Sequence, residues 1–89
     1  MQYKDANTEK LIKVFGEIIK TRREIKNKSQ TLLAYEYELD SGNLCRIENG
    51  RIEPKLTMIW RIAEALDIKL SELIKEVEIK LGSSFSIIK

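Results

Sequence analysis

The stretch from Ser29 to Gly50 constrains what this chain can fold into more than any other part of it. Ser29 is a natural helix N-cap, because its hydroxyl can accept from an orphan amide two or three residues on. Asp40 or Ser41 offers a second cap, and Asn49-Gly50 supplies a residue that accepts the left-handed conformation at a helix C-terminus. Two short helices are therefore predicted, over about 30–37 and 41–49, joined by only three or four residues. So tight a connection leaves little geometric freedom. Leu33, Tyr37, Leu39, Leu44 and Ile47 must point at one core, and Ala34 is small where the two helices cross.

The rest of the chain follows a helical period. Leu11, Phe15, Ile18, Ile19, Arg22 and Ile25 recur at three- and four-residue steps, which predicts a first helix over about 8–26, ended by Asn27-Lys28-Ser29. Gly50 to Pro54 reads as a loop, because Glu53 before proline is pushed out of the helical region. Thr57 is the predicted cap of a fourth helix over about 57–66, with Ile59, Ile62, Ala63 and Leu66 on one face. Ser71 is the predicted cap of a fifth, in which Leu73, Ile74, Val77 and Leu81 keep helical spacing up to Gly82. Val77, Ile79 and Leu81 also alternate with Glu and Lys, and Phe85 and Ile87 with Ser, so a strand or hairpin around Gly82-Ser83-Ser84 competes. The reading adopted is a helix followed by a short extended tail, giving one all-α domain of five helices.

Composition narrows the function. Eighty-nine residues, 43% hydrophobic and 34% charged, suit one globular domain and exclude a large multi-domain enzyme. The N-terminus Met-Gln-Tyr-Lys-Asp has no apolar signal region and no apolar run is long enough to span a bilayer, so a cytoplasmic, non-membrane protein is expected. A single cysteine, Cys45, forms no internal disulfide, and with no histidine there is no soft-ligand set for zinc and no His-based catalysis. No cofactor, metal or enzymatic activity is expected. Glu36 and Glu38 lie on different sides of a helix and make no glycosidase-like acid pair. The net charge of +2 is uneven: residues 1–28 carry +4, whereas 29–49 carry −3, with Arg46 against Glu36, Glu38, Asp40 and Glu48.

Several segments resemble the phage lambda repressor and Cro, or Xre-type, helix-turn-helix family. They are Ser29-Gln30-Thr31-Leu32-Leu33-Ala34, Leu39-Asp40, Arg46-Ile47-Glu48-Asn49-Gly50, Pro54, and Ile62-Ala63-Glu64-Ala65-Leu66. The resemblance covers about residues 15–74 and is far more specific than a bare helix-turn-helix pattern. It implies a lambda-repressor-like domain whose third helix enters the major groove, with Ser41, Gly42, Asn43 and Arg46 at the reading positions. Their chemistry agrees: Asn43 can pair bidentately with adenine, Arg46 can do so with guanine, and Gly42 allows close approach. Gln30 opens the second helix, where the family places a glutamine at the DNA backbone and against the reading side chains; its amide and the free N-terminal amides suit a phosphate. The family's ion pair between helix one and the end of helix three maps to Arg23 and Glu48.

The organisation expected is an N-terminal tail (1–7), a DNA-binding domain (8–75) and a C-terminal extension (76–89) for dimerisation or partner binding. Asn49, Arg51 and Lys55 serve either phosphates or solubility, and Asn43 and Arg46 have an alternative reading as solvated helix residues. Cys45 reads as an inert small residue. Reading two half-sites needs a homodimer, and Trp60, Val77, Leu81, Phe85 and Ile87 are the interface candidates, with Ile18 and Ile25 weaker ones. The function these readings imply is a sequence-specific DNA-binding regulator, a homodimeric repressor or controller on double-stranded DNA. The alternatives are an antitoxin-like protein whose tail also binds a protein partner, and a protein-interaction module without a DNA role.

Overall fold

The computed structural model describes residues 5–88. Five helices follow in order, α1 (Ala6–Ile25), α2 (Gln30–Glu36), α3 (Ser41–Glu48), α4 (Leu56–Ala65) and α5 (Leu70–Leu81), and no strand occurs among the described residues. The tail competition is thus settled in favour of helix: α5 runs to Leu81 and Gly82 ends it at φ 91°.

Caps explain most of the starts. The Asp5 carboxylate accepts from the Asn7 amide (2.9 Å) and the Thr8 hydroxyl (3.0 Å), so α1 begins two residues before the predicted start and takes in part of the expected N-terminal tail, of which residues 1–4 lie outside the described ones. Ser29 caps α2 through the Leu32 amide and Asp40 caps α3 through the Asn43 amide, as the sequence implies. Thr57 and Ser71 do not cap α4 and α5. The extended backbone a cap requires falls on Lys55 and Lys69, which leaves both hydroxyls already inside the first helical turn.

Four helix ends use one device. Asn27, Glu38, Gly50 and Asp67 each follow a helix at φ between 56° and 68°. The next amide then reaches back to a carbonyl in the last turn: Lys28 to Arg23, Leu39 to Ala34, Arg51 to Arg46 and Ile68 to Ala63. These are Schellman closures, and only Gly50 adopts the left-handed conformation without a Cβ penalty. Glu38, in the turn between α2 and α3, is strained by about 1–2 kcal/mol relative to glycine's steric freedom there.

Ile19, Leu33, Leu44, Ile47, Ile62 and Leu73 are fully buried and bring all five helices except the outer faces of α2 and α4 onto one core. Ala34 and Leu39 are buried beside them, but Tyr37 is not: α2 ends at Glu36, so Tyr37 turns outward at the cap, with the Lys28 ammonium 5.7 Å from its ring centroid. Ile25, at the last position of α1, overshoots the core and is exposed, whereas Ile18 is buried and unavailable to a partner. Val77 is only 3% exposed and belongs to the core, which removes it from the interface candidates. The expected boundary at 75/76 falls inside α5, so the folded unit continues through what was read as an extension. Arg22 on α1 bonds Glu76 on α5, and the Asn7 side-chain Nδ2 donates to the Ser86 carbonyl (2.8 Å), laying the tail back along the start of α1.

Candidate nucleic-acid interface

The outer face of α3 carries a group of polar side chains turned away from the core. Leu44 and Ile47 are buried, and the i, i+3 and i+4 spacing of a helix then leaves Ser41, Gly42, Asn43, Arg46 and Asn49 on the outward side. Ser41, Arg46 and Asn49 are exposed; Gly42 and Asn43 are half-buried within the first turn. The Asp40 carboxylate, on which a phosphate repulsion would rest, is engaged as the cap of this turn (Oδ1 to the Asn43 amide, 2.9 Å). Arg46 lies back along the helix and donates from Nη2 to Asn43 Oδ1 at 3.0 Å. Asn49 Nδ2 lies 3.4 Å from the half-buried Cys45 sulfur, a weak bond within the helix.

The inner end of α3 is anchored by charge. Glu48 is buried and accepts from Arg23 Nε (2.7 Å), Arg23 Nη2 (2.9 Å) and Gln30 Nε2 (2.9 Å), while Arg23 Nη1 donates to the Lys28 carbonyl (2.8 Å). Helices α1, α2 and α3 therefore meet on one carboxylate. Among the described residues no buried side-chain nitrogen or oxygen lacks a partner, which is what makes a buried pair tolerable. The Glu48 hydrogen bonds raise the Arg23 pKa above the usual arginine value, outweighing the opposing effect of burial. Gln30 is thus braced by Glu48 at the start of α2, with its amide oxygen left over.

The same pairings account for the acidic balance of 29–49. Glu48 is neutralised by Arg23, and Glu36 by the Lys28 ammonium at 2.6 Å, whose pKa that carboxylate raises. Arg51 and Lys55 follow α3 and are exposed, without an ion-pair partner among the described residues. Arg61 on α4 adds a cation against the α2–α3 turn, donating from Nη1 to the Glu38 carbonyl (3.3 Å).

Sequence reasoning missed Gly16. A Cβ on it would lie 2.2 Å from the Ile47 carbonyl oxygen and 2.8 Å from that of Glu48, so α1 and the last turn of α3 touch backbone to backbone at this one position. The signal was present as an isolated glycine inside a strong helical period. Among the described residues no cluster of His, Cys, Asp and Glu could hold a metal ion, and no helix is long and apolar enough to cross a membrane.

A capped second helix with a polar outward face, set by a tight turn against a first, defines a helix-turn-helix nucleic-acid-binding module. The helix-turn-helix family matches residues 19–73, and the chain belongs to it, in its Xre-type, lambda-repressor-like form. It is a DNA-binding transcriptional regulator, and its family and structural neighbours are regulators rather than enzymes. Among solved structures it is similar to the restriction-modification controller protein C.AhdI from Aeromonas hydrophila, at 36% identity over 72% of this chain and 96% of that one, with a TM-score of 0.66. It is also similar to ComR from S. thermophilus, at 34% identity over 75% of this chain but 23% of that one, with a TM-score of 0.67. The clp gene regulator ClgR from C. glutamicum matches at 22% identity over 75% of this chain and 86% of that one, with a TM-score of 0.70, a likeness of fold alone. No curated protein matches the chain.

Proposed function

We propose that the chain acts as a cytoplasmic homodimer occupying a two-fold symmetric operator, each copy laying α3 in one major groove. The observation that carries this is the division of α3: its one acid is locked inward on Arg23 while Ser41, Asn43, Arg46 and Asn49 face out. Ser41, Asn43 and Arg46 form the surface turned to the base edges, Gly42 lets the backbone come close, and Gln30, Asn49, Arg51 and Lys55 hold phosphates. The likeness to a restriction-modification controller protein, 36% identical and matched over 96% of its length, supports a regulator that acts by occupying DNA.

The second copy seats on the face between α4 and α5. Trp60 is 57% exposed there, its indole nitrogen held by Glu64 (3.0 Å), at the edge of a groove of about 1010 Å³ lined also by Ile68, Leu70 and Ile74. Leu81 and Phe85 are half-buried against the same protomer, and Ile87 is exposed beside them, so these three contribute less than Trp60.

The test is binding to duplex DNA across a salt series, followed by selection of bound sequences from random duplexes. Affinity that falls steeply with salt and a selected consensus with two half-sites about 34 Å apart support the reading. Salt-independent or absent duplex binding refutes it and leaves a protein-interaction module.

A further inference from the structure

Asn43 and Arg46, taken singly, suit one base each, adenine and guanine. The bond between them argues otherwise. Arg46 Nη2 donates to Asn43 Oδ1 at 3.0 Å, and both side chains are on the free face of α3. Gly42 makes the arrangement fit: a Cβ there would already lie 3.5 Å from both terminal guanidinium nitrogens, so a longer side chain would occupy the place where the guanidinium rests. The Asp40 carboxylate, 3.1 Å from that same point, is turned to the Asn43 amide and fixes the turn from which Asn43 projects.

From this geometry we infer that Asn43 and Arg46 form a single reading unit addressed to one guanine, in which Arg46 makes the base contact and Asn43 is a positioning residue. The inference rests on the DNA reading proposed above. An adenine pair requires the Asn43 amide to turn its oxygen and nitrogen together toward the base. Here the oxygen already accepts from a guanidinium, which favours an amide rotation that serves Arg46 rather than a base. Arg46 keeps the advantage, because a guanidinium has five donors and the bond uses one. Two parallel N–H groups remain for the O6 and N7 acceptors of guanine, the bidentate geometry that a fork of donors provides and a point charge does not. Holding a long, flexible side chain in place before binding also removes part of the ordering cost of recognition.

The experiment compares sequences selected from random duplexes by the full-length wild type and by Arg46→Ala, Asn43→Ala, Asn43→Asp and the Arg46→Ala/Asn43→Ala double variant, each shown by circular dichroism to be folded. The wild type is expected to require guanine at one position of each half-site. Arg46→Ala should relax that position by about 10-fold or more. Asn43→Ala should relax the same position by about 3- to 10-fold, and the double variant should match Arg46→Ala within about 2-fold. Asn43→Asp keeps the acceptor oxygen but loses the donor, so guanine preference should survive while every duplex is bound more weakly alike. Relaxation at two different base pairs, additive in the double variant, or loss of an adenine preference in Asn43→Asp, would overturn the coupling while leaving the DNA reading standing. A wild type that selects no sequence would overturn both.

Discussion

Gly16→Ala sets two opposing effects against each other on α1. Intrinsic propensity favours alanine over glycine inside a helix by about 1 kcal/mol. Against it stands the contact with α3, where the new Cβ would meet the Ile47 carbonyl oxygen at 2.2 Å and that of Glu48 at 2.8 Å. Neither obstacle is a flexible side chain, so the helices themselves must separate, by about 1 Å to restore ordinary contact distances. A separation of that size forfeits a quarter to a half of each dispersion contact across the interface. Overpacking of this kind costs about 1–3 kcal/mol, and rigid backbone on both sides puts Gly16 at the upper end. The same displacement stretches the 2.7 and 2.9 Å bonds between Arg23 and Glu48, which span the two helices. The net expectation is a loss of about 2 kcal/mol, or roughly 8–16 °C in Tm for a chain of this size. Urea unfolding followed by circular dichroism at fixed protomer concentration measures it, with the exposed Thr21→Ala on the same helix as a control that should gain a few tenths of a kcal/mol. A Gly16→Ala variant as stable as the wild type would refute the backbone-contact argument.

Glu48→Gln should cost about 3–5 kcal/mol by leaving the Arg23 charge buried without its counter-charge, whereas replacing both residues with leucine should recover much of that loss; chemical denaturation decides it. Glu38→Gly should stabilise the fold by about 0.5–1 kcal/mol, since relief of the left-handed strain exceeds the greater entropy of an unfolded glycine, and a lowered midpoint would contradict the strain assignment. Lys55→Ala should weaken all duplexes alike and reduce the salt slope by about one phosphate contact, read from affinity in a salt series. Trp60→Asp should yield a folded monomer in sedimentation at concentrations where the wild type is dimeric, and an unchanged mass would move the interface elsewhere.

Much of the fold was legible because the helices are punctuated by residues with a single physical meaning. Ser29 and Asp40 cap where expected, and Gly50 closes α3. The starts of α4 and α5 were misplaced because a serine or threonine near a helix start need not be its cap; that depends on where the backbone turns extended, here at two lysines. Tyr37 was assigned to the core because periodicity continues past the point at which a helix ends, whereas burial does not. Val77 was offered to a partner for a related reason: an amphipathic pattern marks a face for burial without naming what buries it. The α3 face could be read from spacing, since Leu44 and Ile47 fix its rotation. The neutralisation of Glu36 by Lys28 and the bond between Asn43 and Arg46 could not, because each depends on rotamers that only the assembled chain selects.

Helix α3 is held differently at its two ends. Its root, Glu48 and the carbonyls against Gly16, is clamped by charge and by backbone contact, while at its tip the Asp40 cap and the buried Leu44 fix the backbone and leave the Ser41 and Arg46 side chains turned outward. Substitutions of the exposed Ser41 and Arg46 side chains therefore change thermodynamic stability little, and substitutions at the root leave the chemical identity of the outward face unaltered. A scaffold divided in this way can be retargeted to a new DNA sequence a residue at a time, without passing through unfolded intermediates on the mutational path.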